Sequence, residues 1–124
     1  MKYLIYLVTL ITFSSQAAVM NEQKAAQDLC DMEWNITDRA SGTDESATGI
    51  VNNEVKSFKD KGYSFSDFSI DETDFIKVSM EGAEGSRKMI KQMDTPYSEA
   101  RDFLKGRMMS VCVKNVLDIL NKEK

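Results

Sequence analysis

The chain has 124 residues, 20 of them acidic and 16 basic, giving a formal net charge of −4, and it contains no histidine. This length bounds it to one domain around one core, and the acidic surplus removes the counterion-release drive on which nucleic-acid binding depends. Without histidine, Ser-His-Asp and Cys-His nucleophiles, H-E-x-x-H zinc sites and His-ligated haem are all excluded.

The first eighteen residues, MKYLIYLVTLITFSSQAA, differ from the rest. Lys2 forms a minimal positive start, and Tyr3 to Phe13 is an uncharged, mostly apolar run. Ser15 and Ala17 place small residues where a signal peptidase reads them. As a helix the apolar run covers about 16 Å, against roughly 30 Å of bilayer hydrocarbon, too short to span. The pattern predicts a signal peptide over residues 1–17, a mature start at Ala18, and a single helical domain over residues 18–124 without a stable membrane anchor. Removing Lys2 leaves about five more acidic than basic residues, a surplus that disfavours anionic membrane surfaces and suits a basic protein partner.

Four helices follow from the periodicity. Asn21 caps the first, which runs to about Ser41 with Ala25, Leu29, Met32, Ile36 and Ala40 along one stripe and Ala26, Cys30 and Trp34 beside it. After the polar run SGTDES, Thr43 or Asp44 caps a second helix ending at Lys61. Ala47, Ile50, Val51, Val55 and Phe58 point inward, and Gly62 sits at the C′ position. The segment GYSFSDFSIDETDF reads as an aromatic loop, since the alternation of Tyr63 and Phe65 has no second strand to pair with. Asp71 caps the third helix, with Glu72 and Asp74 in its first turn. Gly82 and Gly85 either break this helix or admit another backbone closely. Thr95 caps the fourth helix with Pro96 at N1, and the pattern continues to about Asn121 through Leu104, Met108, Val111, Cys112 and Leu120. The expected fold class is all-α, a small bundle of about four helices running up-down-up-down.

Export brings the two cysteines into an oxidising compartment. Two thiols are too few ligands for zinc, and the C-x-x-C spacing of a redox pair is missing. A Cys30–Cys112 disulfide is therefore expected, closing a loop of about 80 residues for about 4.5 kcal/mol in the chain-entropy model. The two cysteines lie at matching depths from the start of the first helix and the end of the last, so they meet if those helices are antiparallel neighbours.

The remaining chemistry is sparse. The methionines fall at helical spacing and read as core filler, and EGAEGS matches no phosphate-binding loop. Glu81 with Glu84, or Asp71 with Asp74, are the only acid–base candidates, and solvated helix faces explain them better. No catalytic residue, metal or cofactor is expected, and the chain reads as no enzyme. For recognition, Tyr63, Phe65 and Phe68 lie among Asp67, Asp71, Glu72 and Asp74. That pattern suits either aromatic anchors ringed by acids, docking into a basic cleft, or a loop folded back over the end of the bundle. Trp34 reads as core.

The stretch QDLCDMEW at Cys30, with VCVKN at Cys112, resembles the Spackle-type superinfection-exclusion proteins of phages. The matching positions are Asp28, Leu29 and Cys30 with an acid and a tryptophan soon after, then Cys112, Lys114 and Asn115. The segment from Ser41 to Phe103 has no counterpart, so the likeness is one of plan. A cysteine in the first helix bonded to one in the last is also similar to the periplasmic immunity proteins of type VI amidases. Both resemblances imply a non-enzymatic periplasmic protein that binds and inhibits a basic cell-wall hydrolase, a lysozyme or an amidase, as an immunity or exclusion factor. An envelope assembly factor of pilotin type and an acid-stress periplasmic chaperone remain the alternatives. The oligomeric state is open.

Overall fold

The computed structural model describes residues 21–122; the expected signal peptide lies outside them. The described residues form four helices, α1 (Glu22–Gly42), α2 (Ala47–Asp60), α3 (Glu72–Gln92) and α4 (Tyr97–Lys122), with a one-turn 3-10 helix (Phe65–Phe68) between α2 and α3. The fold is the all-α, four-helix arrangement expected. None of the described helices is long and apolar enough to cross a membrane.

α1 is the central element. Asn21 caps it by accepting a 3.0 Å hydrogen bond from the Lys24 N–H. Both of its apolar rows, Ala25-Leu29-Met32-Ile36-Ala40 and Ala26-Cys30-Trp34, are buried. Two adjacent rows give α1 apolar surface on more than one flank, and it packs against each of the other three helices. Its last turn is closed by α3, whose Arg87 guanidinium donates to the carbonyls of Ala40 (2.9 Å), Thr43 (3.1 Å) and Glu45 (2.6 Å). These satisfy acceptors that a helix C-terminus and its exit turn leave open.

α2 starts later than the sequence pattern indicates. Ser46, not Thr43 or Asp44, is the N-cap and accepts from Gly49 N–H at 3.1 Å. Thr43 is already engaged in closing α1, its hydroxyl donating to Arg39 O at 2.6 Å. The five apolar residues expected to face inward on α2 are all buried. Gly62, at φ 101°, makes the left-handed turn out of the helix that favours glycine.

α3 runs unbroken through Gly82 and Gly85, and a Cβ added at either would meet nothing within 4 Å. Neither a break nor a close backbone approach accounts for these glycines. α4 begins one residue later than expected: the Pro96 carbonyl accepts from Glu99 and Ala100, which places Pro96 at the N-cap rather than N1.

The up-down-up-down ring is not closed. α3 packs on α1 and α2, and α4 packs on α1 and touches the 3-10 turn, but α3 and α4 do not pack along one another. α1 takes them on separate flanks. Accordingly α3 has only Ala83 fully buried, and α4 only Val116 and Leu120.

Two attachments hold α4 to α1. The Cys30–Cys112 disulfide joins them with a Cα–Cα distance of 5.8 Å, as the antiparallel pairing requires. Toward the other end, Asp38 receives the Arg101 guanidinium through both oxygens (2.8 and 2.9 Å) and the Tyr97 hydroxyl (2.7 Å). The Arg101 hydrogen bonds hold the Asp38 carboxyl below the usual carboxylate range, and burial beside Asp38 pushes the Tyr97 phenol up. A carboxyl depressed in the folded state stabilises fully above its unfolded pKa, and that stabilisation is lost as the pH falls through its folded value. Arg101 also stacks over Trp34, 5.7 Å from the ring centroid.

Replacing Cys112 with alanine is expected to lower the unfolding free energy by about 4.5 kcal/mol, as measured by urea denaturation. Gly85→Ala should raise it by about 0.5–1 kcal/mol in the same assay, because the site has open space and a helical backbone. A destabilised G85A protein would show that the helix is strained there.

Candidate functional site

The aromatic and acidic segment expected to form a docking surface is divided by the fold. Phe65 and Phe68 are fully buried. They surround Phe58 of α2 at ring-centroid distances of 5.4 and 5.7 Å, and Tyr63 stacks on the same ring at 4.9 Å. Each buried phenylalanine contributes roughly 2–3 kcal/mol of apolar burial, so these rings are core. The loop folds back over the end of the helices, the second of the two arrangements its pattern allowed.

The acids of the segment have mixed roles. The Tyr63 hydroxyl donates to Asp28 at 2.7 Å, tying the turn to α1, and the phenol is pushed up to about 12 by burial and by that carboxylate. Burial pushes the Asp28 carboxyl up, but hydrogen bonds from Lys24 and Tyr63 and the charge of Lys61 outweigh it and hold the group low. Asp67 accepts from the Ser64 N–H (3.1 Å) and closes the 3-10 turn. Glu72 pairs with Lys59 of α2 at 2.9 Å. Asp71 caps α3 by accepting from Asp74 N–H at 2.9 Å. Asp71 and Asp74 also line an open cleft that the sequence pattern does not announce.

This cleft follows from the gap between α3 and α4. Its floor is α1, and it consists of two adjoining open-sided hollows. One, of about 390 Å³, is lined on the α3 side by Asp71, Asp74, Phe75, Val78 and Gly82. The other, of about 550 Å³, is lined on the α4 side by Arg107, Val111, Asn115, Val116 and Ile119. Glu33, Ile70 and Met108 line both. The walls carry large apolar side chains in water: Val78 is 64% exposed, Val111 57% and Ile119 38%, and Phe103 of α4 is 67% exposed.

Among the described residues Glu33 is the one ionisable group on the floor. It is half-buried, and desolvation pushes its carboxyl above the usual value of 4.5. Its Oε2 lies 3.1 Å from Cys112 Sγ. Cys112 is disulfide-bonded and has no S–H to give, so the contact is a hydrogen bond only when Glu33 carries the proton. Arg107 on the α4 wall sits over the Phe103 ring at 5.8 Å. Neither Glu33 nor Arg107 is in an ion pair among the described residues.

Glu33 could have been noticed from its place in the chain. It lies between the two apolar rows of α1, four residues after Leu29 and three before Ile36, where an acid has no helical reason to stand. The exposure of Val78, Val111 and Ile119 had no such signal, because apolar residues at helical spacing look the same whether or not a neighbour covers them. Glu81 and Glu84, the other carboxylate pair of the sequence, are exposed on α3. No group of three metal-ligating side chains comes together among the described residues. The cleft offers apolar walls and an acid floor, a chemistry of binding. Comparison of the chain with protein-family models, curated proteins and solved structures finds no match.

A raised carboxyl stabilises the fold fully below its unfolded pKa and loses that contribution as the pH rises through its folded value. Asp71, Asp74 and Arg107 are the charged groups facing Glu33 from α3 and α4. Glu33→Gln is therefore expected to unfold at higher urea concentration than the wild type at pH 7 and to show no such gain at pH 3.5. An equal gain at both pH values would mean that ionisation of Glu33 is not what costs stability.

Proposed function

We propose that the protein is an exported, non-enzymatic factor that binds and occludes a cell-wall hydrolase, a lysozyme or an amidase, with the α3–α4 cleft as its contact surface. The observation that carries this reading is the run of uncovered apolar side chains on facing helices, Val78 on α3 and Val111 and Ile119 on α4. Uncovered apolar side chains gathered around one cleft, with charged residues among them, are characteristic of a protein–protein contact. The acidic surplus of the chain favours a basic partner and speeds encounter with it. The disulfide and the sequence likeness around both cysteines support placement in the periplasm.

The contact surface differs from the one the sequence pattern favours. With Phe65 and Phe68 in the core, the docking role passes from the aromatic turn to the cleft, and Asp71 and Asp74 are the two residues common to both. A periplasmic chaperone would also use uncovered apolar surface, and stoichiometry separates the two readings. An inhibitor forms one complex with one hydrolase, whereas a chaperone holds many unfolded clients.

The oxidised protein should inhibit peptidoglycan hydrolysis by one enzyme in a panel of purified lysozymes and amidases, at one-to-one stoichiometry, and show no hydrolysis of its own. Val111→Glu should weaken that inhibition by a factor of about 100, the effect of placing a charge at a buried apolar contact. Inhibition unchanged by V111E would move the contact away from the cleft. Hydrolysis by the protein alone would overturn the proposal.

A further inference from the structure

The two hollows of the cleft differ in charge. Among the described residues, the hollow on the α3 side is lined by three carboxyl-bearing residues, Glu33, Asp71 and Asp74, and by no basic one. Among the described residues the one basic side chain of the cleft, Arg107, lines the other hollow, where it sits over Phe103. None of the three acids is in an ion pair among the described residues. Nearby acids that do find cations, Asp28 with Lys24, Glu54 with Arg39 and Glu72 with Lys59, all lie outside the cleft. Around the three acids stand Ile36, Ile70, Phe75, Val78 and Met108.

We infer that the α3-side hollow receives an arginine or lysine side chain from a partner protein, its charged head at Glu33 and its apolar neighbours seated on Val78, Met108 and Val111. This rests on the reading of the cleft as a protein contact surface and specifies what the partner must present there. At about 390 Å³, with a further 550 Å³ beside it, the space exceeds one side chain and suits a short segment bearing a cation between apolar residues. The open sides of both hollows admit such a segment lengthwise. Gly82, on the wall of the α3-side hollow with nothing within 4 Å of an added Cβ, leaves room for its backbone.

The physical basis is that a long basic side chain buries its methylene stem on apolar walls and needs an acceptor at the end. An ionised carboxylate at the end of an apolar slot gains more from that cation than one in open water does, because less solvent competes. Asp71 and Asp74 supply the longer-range attraction. Arg107 opposes entry of the cation into its own hollow, which fixes the direction in which the segment lies.

The test uses hexylguanidinium and its neutral analogue hexylurea as probes, titrated into the oxidised protein at pH 7.5 and followed by NMR at the methyl groups of Ile70, Val78 and Met108. The expected result is preference for the guanidinium by about tenfold, the scale of one charge-assisted hydrogen-bonded pair, falling to about twofold in Glu33→Gln and weakening with salt. Glu33→Gln removes charge from an already desolvated site, so it keeps the fold. Bound guanidinium should also lower the pH at which Glu33 titrates.

Equal binding of both probes would overturn the cation while leaving the cleft as an apolar contact surface. Binding of neither, or preference unchanged in E33Q, would overturn the inference outright. Concentration-dependent dimers broken by V111E would assign the cleft to a second copy and overturn it as well. None of these outcomes decides whether a hydrolase is inhibited, which the enzyme panel reads independently.

Discussion

The Cys30–Cys112 bond holds α4 to the rest of the molecule at a point where packing alone is thin. α4 buries only Val116 and Leu120 completely, and among the described helices it packs substantially on α1 alone. A helix gains stability mainly from an apolar face buried on several neighbours, and α4 has one. The disulfide therefore acts on the least supported element, and the Asp38–Arg101–Tyr97 cluster fixes the same helix toward its other end. One attachment is covalent and insensitive to pH, whereas the other depends on an ionised carboxylate. Between them α4 stands as a wall against α1 without leaning on α3, and the cleft exists because of that.

The remainder of the molecule is conventionally packed. α1 and α2 bury the residues their periodicity assigns to the inside, and Phe58 gathers Tyr63, Phe65 and Phe68 into an aromatic cap on the end of the bundle. Acids around this cap serve local needs: Asp67 and Asp71 close turns, and Glu72 and Asp28 pair with lysines. An acidic, aromatic segment can thus look like a recognition surface in one dimension and be a plug in three. Burial of the rings decides the matter, since burying two phenylalanines outweighs whatever exposed aromatic anchors would gain from a partner not yet present.

The face between α3 and α4 behaves differently. It leaves Val78, Val111 and Ile119 in water, keeps a desolvated carboxyl at Glu33, and includes Gly82 inside a helix that alanine would fit. Each of these lowers the stability of the free chain, and all three coincide in one place. Local departures from what folding alone would favour tend to gather where a protein meets something else. A surface that gains by being covered gives the physical basis for reading this one as a contact.

The sequence by itself determined the helices, the disulfide and the inward faces of α1 and α2. Those depend on period, caps and the pairing of the only two thiols, all local or nearly so. It also carried the oddity of Glu33, an acid between two apolar rows of one helix, though not its meaning. The positions of Ser46 and Pro96 as caps escaped it because neighbouring candidates competed for the same turn, and only the closed α1 terminus showed that Thr43 was already in use. Tertiary structure alone decided that α3 and α4 lie on separate flanks of α1. Helical periodicity records that a residue faces a neighbour, but not whether that neighbour belongs to the same chain. That is why Val111 fits the apolar period of the last helix and yet stands exposed in the fold, as Val78 does on α3.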